Sequence, residues 1–346
     1  MKVCFIVPHL KIAGGIRVVL TYARELSRKH QITILVVENS RWQRWFKNTL
    51  PFKVDWFGLL PGVKIIFVKI SDITLSLNRL KPEVVVADSW PMAETLNSVS
   101  GPFKKIHLIQ HDERLYHGEP EVVAKTYTLP IKKIVVASWL QELLAREFNQ
   151  ASDLLLNSVD REIFKPDFST KPNDGLIRVL ILDHPYKWKG TEEGVNLVQS
   201  LKLKYPHLRL IGFGSRHKDP KYSYDEYYFS PQQKDLAKIY TRADIYLCPS
   251  WDEGFGLPSL EAMACGTAVV TYDNGGSRDF AKDGETALVA ARQDQVELKK
   301  KLEQLINDQE LRQKLAQSGL ALVKSWPTWS EQALKLEKIL KNAITL

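Results

Sequence analysis

Cysteine is scarce in this chain of 346 residues: Cys4, Cys248 and Cys265 lie far apart with no CxxC pair, which excludes a disulfide framework and a structural zinc site. No stretch reaches the roughly 18 apolar residues of a membrane span, and the apolar run within residues 1–8 is too short for a signal peptide. These absences assign the chain to a reducing compartment, the cytoplasm. An Asp-x-Asp metal–nucleotide motif, an HExxH pair, a clustered His/Cys set and a GxSxG elbow are all missing, so neither a catalytic metal nor a resident cofactor is expected. The chain lacks internal repeats, low-complexity tracts and any RNP-like or helix-turn-helix pattern, which argues against a nucleic-acid partner.

What is present is the composition of an ordinary folded protein, 44% apolar and 25% charged, long enough for two domains. The net charge of +8 is uneven. Through Lys165 there are 23 Lys and Arg against 16 Asp and Glu, and beyond it 25 against 24, so the basic excess belongs to the first half. Such a field suits an anionic partner, a phosphorylated substrate or an acidic membrane surface. Within that half, Arg41, Trp42, Arg44, Trp45, Phe46 and Lys47, followed by Phe52, Lys53, Trp56 and Phe57, interleave cations with aromatics. This segment reads either as a contact with anionic headgroups or as an aromatic-rich packed segment.

Along the chain, β-branched runs alternate with helical patterns. Residues 2–7, an amphipathic stretch carrying Ile16, Val19, Leu20, Ala23 and Leu26, and residues 32–37 form a βαβ unit. Further apolar runs at 63–68, 84–87, 106–109 and 134–137 extend it. Continuous apolar strands between helices predict a parallel sheet covered on both faces. Residues 164–175 are polar, Pro-bearing and aperiodic, and read as a linker, after which runs at 177–182, 208–211, 245–248 and 268–271 restart the pattern. The expected fold is therefore α/β, with two Rossmann-like doubly wound domains binding ligands at the carboxyl ends of their strands, in a cleft between them.

The segment from Pro249 to Gly266 leaves a buried strand and opens a helix at Pro258. Gly254 and Gly256 let backbone approach a ligand, and amides around Phe255 and Leu257, with the helix dipole, favour a phosphate. Glu253 precedes this loop and Glu261 follows in the first helical turn, so the two carboxylates can reach different hydroxyls of one polyol. The plainer reading makes Glu261 a dipole-compensating residue and the glycines turn formers. Between another strand and helix stand His184, Lys187 and Lys189, the two lysines placed to neutralise a leaving diphosphate or simply part of a solvated turn. Gly14 and Gly15 join the first strand to the first helix without the full GxGxxG spacing. His111, next to Asp112 at a strand end, can donate to a substrate hydroxyl, act as a base, or be a plain surface histidine.

Taken together, these stretches resemble the GT-B glycosyltransferases of family 4, the group 1 glycosyltransferases, over most of the chain. Residues 253–261 resemble the E-x7-E signature, 160–166 the interdomain entry motif, Ala243-Asp244 with Pro249-Ser250 the strand before the signature, and 275–284 the segment after it. The resemblance implies a retaining, metal-independent hexosyl- or deoxyhexosyltransferase using a nucleotide-diphosphate sugar as co-substrate. It implies an acceptor-binding domain over 1–165, a nucleotide-sugar domain over 166–325, and a last helix over 326–346 crossing back to the first domain. Position by position, Glu253 would contact the donor sugar, Glu261 the ribose and Lys189 the diphosphate, with His111 as a further catalytic group. Gly254, Phe255, Gly256 and Leu257 would complete the donor site, Gly14 and Gly15 would lie beside the phosphates, and Asp112 would stand on the acceptor side. The family's arginine five residues before the lysine is His184 here, leaving His184 or Lys187 to take its place. Expected partners are a nucleotide sugar, a saccharide or lipid-linked acceptor of surface polysaccharide or glycolipid synthesis, and the inner face of the cell membrane. A nucleotide-sugar epimerase, a phosphorylase and a non-catalytic donor-binding scaffold are the alternatives on this architecture.

Overall fold

The apolar runs become parallel strands because helices cover both faces of each sheet. The computed structural model describes residues 1–37, 54, 56–58 and 60–345, which divide into unit 1, residues 1–157 with 327–346, and unit 2, residues 158–326. Most of the basic aromatic segment from Arg41 lies outside the described residues. Of its members, Trp56 donates Nε1–H to the Leu10 carbonyl at 2.9 Å, and Phe57 packs under the Arg24 guanidinium at 5.2 Å.

In unit 1, β1 (Lys2–Val7), β2 (Gln31–Val37), β3 (Val63–Val68), β4 (Val84–Ala87), β5 (Lys104–Ile109), β6 (Lys132–Val135) and β7 (Asp153–Leu154) form one parallel sheet in the order β3-β2-β1-β4-β5-β6-β7. The order reverses between β1 and β4, the place where doubly wound sheets hold ligands. Helix α1 (Gly14–Leu26) leaves β1 there, followed along the chain by α2 (Ile73–Leu80), α3 (Trp90–Ser98), α4 (Pro120–Tyr127) and α5 (Ser138–Phe148).

In unit 2, β8 (Ile177–Leu182), β9 (Leu208–Gly214), β10 (Glu226–Phe229), β11 (Ile245–Cys248), β12 (Ala268–Tyr272) and β13 (Leu288–Ala290) are again all parallel, in the order β10-β9-β8-β11-β12-β13. Here the reversal falls between β8 and β11, so the loops that leave these two strands are neighbours. Of its helices α6 (Thr191–Lys202), α7 (Gln233–Arg242), α8 (Leu257–Ala264), α9 (Gln295–Asn307) and α10 (Gln309–Ser325), α6 and α9 share one sheet face. Their Val198, Leu201, Leu298 and Leu302 are buried against Val179, Ile181 and Leu247. Each such burial contributes roughly 1.5–3 kcal/mol.

The stretch read as a linker belongs to unit 2, and the division falls between Asn157 and Ser158 rather than at 165. Phe164 is buried with its ring 6.2 Å from that of Tyr240, Arg161 donates to the Val323 carbonyl at 3.3 Å, and Lys171 pairs with Asp244 at 3.1 Å. These contacts bind residues 160–171 to α7 and α10 despite their loop-like composition. Trp326 packs on Phe255 and Phe280, inside unit 2. Helix α11 (Trp329–Thr345) is part of unit 1, where Trp329 meets Tyr22 edge-on at 5.4 Å and His30 Nε2 lies 3.2 Å from the Glu337 carboxylate. Among the described residues no helix is long and apolar enough to cross a membrane.

Candidate active site

The β8 and β11 loops bring together the two charged residues that the sequence placed 64 positions apart. Lys189 Nζ lies 2.8 Å from both Glu253 carboxylate oxygens, with each side chain largely withdrawn from solvent. Three features hold this geometry. Gly190, at φ +67°, ends the turn over Lys187–Lys189 and passes so close to the Pro249 carbonyl that a Cβ would stand 2.1 Å from its oxygen. Thr191 staples the ends of the loop, accepting the His184 amide at 2.9 Å and donating to the His184 carbonyl at 3.1 Å. Asn274 accepts the Glu253 amide on its carbonyl at 2.9 Å, and its side-chain oxygen accepts Ser277 N–H at 3.1 Å.

Past Glu253, Gly256 adopts φ +89° as the cap of α8, which makes Leu257 the first helical residue and Pro258 the second. Glu261 therefore sits one position deeper than the sequence suggested, past the first turn. It is buried, and the Tyr240 hydroxyl donates to its Oε2 at 3.3 Å. A buried carboxylate that accepts a tyrosine hydroxyl is held in position rather than solvated. The α8 N-terminus presents backbone amides and positive dipole to the same loop.

The two remaining polar groups of the β8 loop point different ways. Lys187 is exposed, with Nζ 5.9 Å over the Trp251 ring, in a groove of about 760 Å³ that Tyr186 and Arg216 also line. His184 borders that groove too, but its charge couples to the Lys189–Glu253 pair. Burial first, then the Lys189 charge, push its imidazole down to about 4, with Glu253 opposing and Arg216 adding to the drop. It is neutral at pH 7.

In unit 1, Gly14 and Gly15 open α1 at the β1 end. The Gln110 amide donates to the Gly15 carbonyl at 3.1 Å and also to Asp88 Oδ1, and a Cβ on Gly15 would meet Gln110 Nε2 at 3.0 Å. His111 Nδ1 lies 2.9 Å from the Asp112 carbonyl, with the Tyr116, His117 and Trp139 rings around it. The Asp112 carboxylate is engaged by Arg114, Nε at 2.9 Å and Nη2 at 2.7 Å. The sequence reading gave no role to Asp88, Gln110 or Glu113, though a lone acid just past the apolar run of β4 was the available signal for Asp88. Glu113 accepts the Trp90 amide at 2.8 Å. Burial raises the Asp88 carboxyl to about 7 against the Gln110 hydrogen bond, and raises Glu113 to about 8 with the charges of Asp88 and Asp112 adding.

Both carboxyls hold protons in the folded state that the unfolded chain releases near pH 4, so their contribution to stability falls as pH rises from there toward 7 or 8. Asp88→Asn is expected to show a smaller drop in thermal midpoint between pH 5 and pH 8 than the wild type. An equal drop would mean that Asp88 titrates as an ordinary carboxylate.

The family described as "Glycosyl transferases group 1" matches residues 165–321. A D-inositol 3-phosphate glycosyltransferase from Corynebacterium diphtheriae is 34% identical over 113 residues, 33% of this chain and 26% of that protein. The matched stretches span 22% to 58% of the length of such curated relatives. Among solved structures, a sucrose-phosphate synthase from Thermosynechococcus elongatus superposes with a TM-score of 0.82 at 16% identity, over 99% of each chain. Anabaena HepE in complex with UDP-glucose gives 0.80 at 14% identity, over 99% of this chain and 100% of that one. Residues 165–321 of this chain match the group 1 glycosyl transferases, and its two parallel α/β units have the GT-B fold.

Proposed function

We propose that the protein is a retaining, metal-independent glycosyltransferase that moves a hexosyl or deoxyhexosyl group from a nucleotide sugar to a saccharide or lipid-linked acceptor in surface polysaccharide or glycolipid synthesis. The observation that carries this reading is the Lys189–Glu253 pair, set beside the amino end of α8 where the strand order of unit 2 reverses. When the anomeric bond breaks, the sugar becomes oxocarbenium-like and negative charge grows on the departing diphosphate. A preorganised ammonium and a helix N-terminus are the groups that stabilise such charge. Glu253 holds Lys189 and contacts the donor sugar, acting as a positioning residue rather than a nucleophile. Glu261, fixed by Tyr240, takes the ribose hydroxyls, while Gly254, Phe255, Gly256 and Leu257 supply close backbone. The acceptor hydroxyl attacks on the leaving-group face and gives its proton to the diphosphate, so the anomeric configuration is kept.

On the acceptor side, the reading assigns unit 1 through His111, Asp112 and the Gly14–Gly15 turn that Gln110 braces. The basic excess of the first half supports an anionic acceptor and peripheral contact with the inner membrane face. The UDP-glucose held by HepE makes UDP-sugars the first donors to try. Thermal midpoints across UDP-, GDP-, ADP- and dTDP-sugars test the reading, since a ligand at 100 times its dissociation constant adds about 2.7 kcal/mol. One nucleotide class is expected to raise the midpoint in the wild type and to lose that effect in Lys189→Ala. No shift with any of them, confirmed by direct titration, would contradict it.

A further inference from the structure

We infer that a groove at the amino end of the unit 2 sheet is a second, non-catalytic site that binds a short neutral sugar chain. None of its residues belongs to the Lys189–Glu253 site, so the inference goes beyond the reading above.

The groove encloses about 760 Å³. Ile177, His207, Asp244 and Gly266 line it, and they stand at or just before the first residues of β8, β9, β11 and β12. Because the sheet is all parallel, Lys189 and Glu253 follow the opposite ends of β8 and β11. The six residues of β8, at about 3.3 Å each, set the two ends about 20 Å apart. Doubly wound sheets hold their usual ligands at the carboxyl ends, so this groove is not part of that crevice.

One side of the groove is the run 168–177 and the other is α10. The run is held to the body of unit 2, with Lys171 paired to Asp244 at 3.1 Å and the Phe168 ring on Gly266. Gly266 has φ +73°, and a Cβ there would stand 3.3 Å from Phe168 Cζ, so the ring rests against backbone while Phe168 stays 61% exposed. An aromatic ring anchored on one side and open on the other suits the apolar C–H face of a sugar.

From α10 come Gln309, Gln313 and Gln317, each one turn on from the last and so about 6 Å further along the axis. Asn173 lines the groove from the run. These four side-chain amides are exposed, and among the described residues they have no hydrogen-bond partner. An amide offers both N–H and C=O, which matches a sugar hydroxyl, itself donor and acceptor, without burying a charge. The lysine and arginine that line the groove are already engaged, Lys171 by Asp244 and Arg312 by the Leu305 carbonyl, so an anion gains little here. A peptide added as a strand needs an unpaired sheet edge, and neither edge strand, β10 or β13, lines the groove.

The probes are maltotetraose, cellotetraose, mannotetraose and chitotetraose, with glucose and a glycine–serine decapeptide for comparison. Each is titrated into the full chain without nucleotide and followed by saturation-transfer proton NMR. At least one tetraose is expected to bind with a Kd of about 1 mM, and glucose far more weakly. Phe168→Ala is expected to weaken that tetraose about tenfold, and Gln313→Ala about fivefold. Gln313 is exposed and bonds no described residue, so lost binding in Gln313→Ala at an unchanged thermal midpoint does not come from misfolding. No tetraose binding up to about 10 mM, binding that survives both substitutions, or binding of the decapeptide and none of the sugars would overturn the inference. None of these outcomes depends on whether a nucleotide sugar binds.

Discussion

Lys189→Ala is expected to lower turnover by about 10²–10³, the usual effect of removing one preorganised group from developing negative charge. The substitution has a second effect that must be separated from the first. Glu253 is largely buried and has both oxygens on Lys189, so removing the lysine takes away the cation that both oxygens meet. Breaking a buried pair from one side costs about 3–5 kcal/mol, while replacing both partners by neutral groups of similar size is often tolerated. The double variant Lys189→Met with Glu253→Gln should therefore recover most of the lost thermal midpoint and none of the activity. If activity returned with stability, Lys189 would be a structural partner of Glu253 and not the group that meets the diphosphate.

A comparable loss of stability is expected from Gly190→Ala. At φ +67° an alanine costs about 1–2 kcal/mol in backbone strain alone, and its Cβ would stand 2.1 Å from the Pro249 carbonyl oxygen, which is backbone and cannot swing aside. Relief requires the β8 and β11 loops to part, and these are the loops that carry Lys189 and Glu253. We expect a loss of about 3 kcal/mol or more, a fall in thermal midpoint of roughly 6–12 °C, together with loss of donor binding. Gly175→Ala is the control: its φ is +73°, but nothing lies within 4 Å of its Cβ position, so only the strain remains. Equal effects at the two positions would mean that the close approach to Pro249 is not what fixes the loop.

Much of the architecture was legible in the sequence because strands covered on both faces read as unbroken apolar runs. β1, β3, β4, β8 and β11 fall on those runs residue for residue. β10 was not visible, since it lies at the sheet edge and its Tyr227 and Tyr228 are half-buried. The false linker shows a different limit. Residues 164–171 have the composition of a solvated connection, but what holds them is a buried Phe164 and a Lys171–Asp244 pair, contacts that no local pattern announces.

At the site, Glu253, Glu261 and the glycines between them were legible as residue types at a spacing. The turn over Lys187–Lys189, which sends Lys187 to Trp251 and Lys189 to Glu253, was not, because two lysines with one residue between them look alike until the backbone separates them. Asp88 and Gln110 escaped for the same reason as the false linker: Gln110 reaches Gly15 across 95 positions.

The central claim is group transfer with retention from a nucleotide sugar. It is tested most directly by incubating the chain with the donor that stabilises it, without acceptor, and following nucleoside diphosphate release and the released sugar by proton NMR before mutarotation. The account predicts slow release of the diphosphate, a sugar that first appears in the anomeric configuration of the donor, and neither product with Lys189→Ala. A sugar appearing first in the opposite anomeric configuration, or conversion of the donor to an epimer with no diphosphate released, would contradict it.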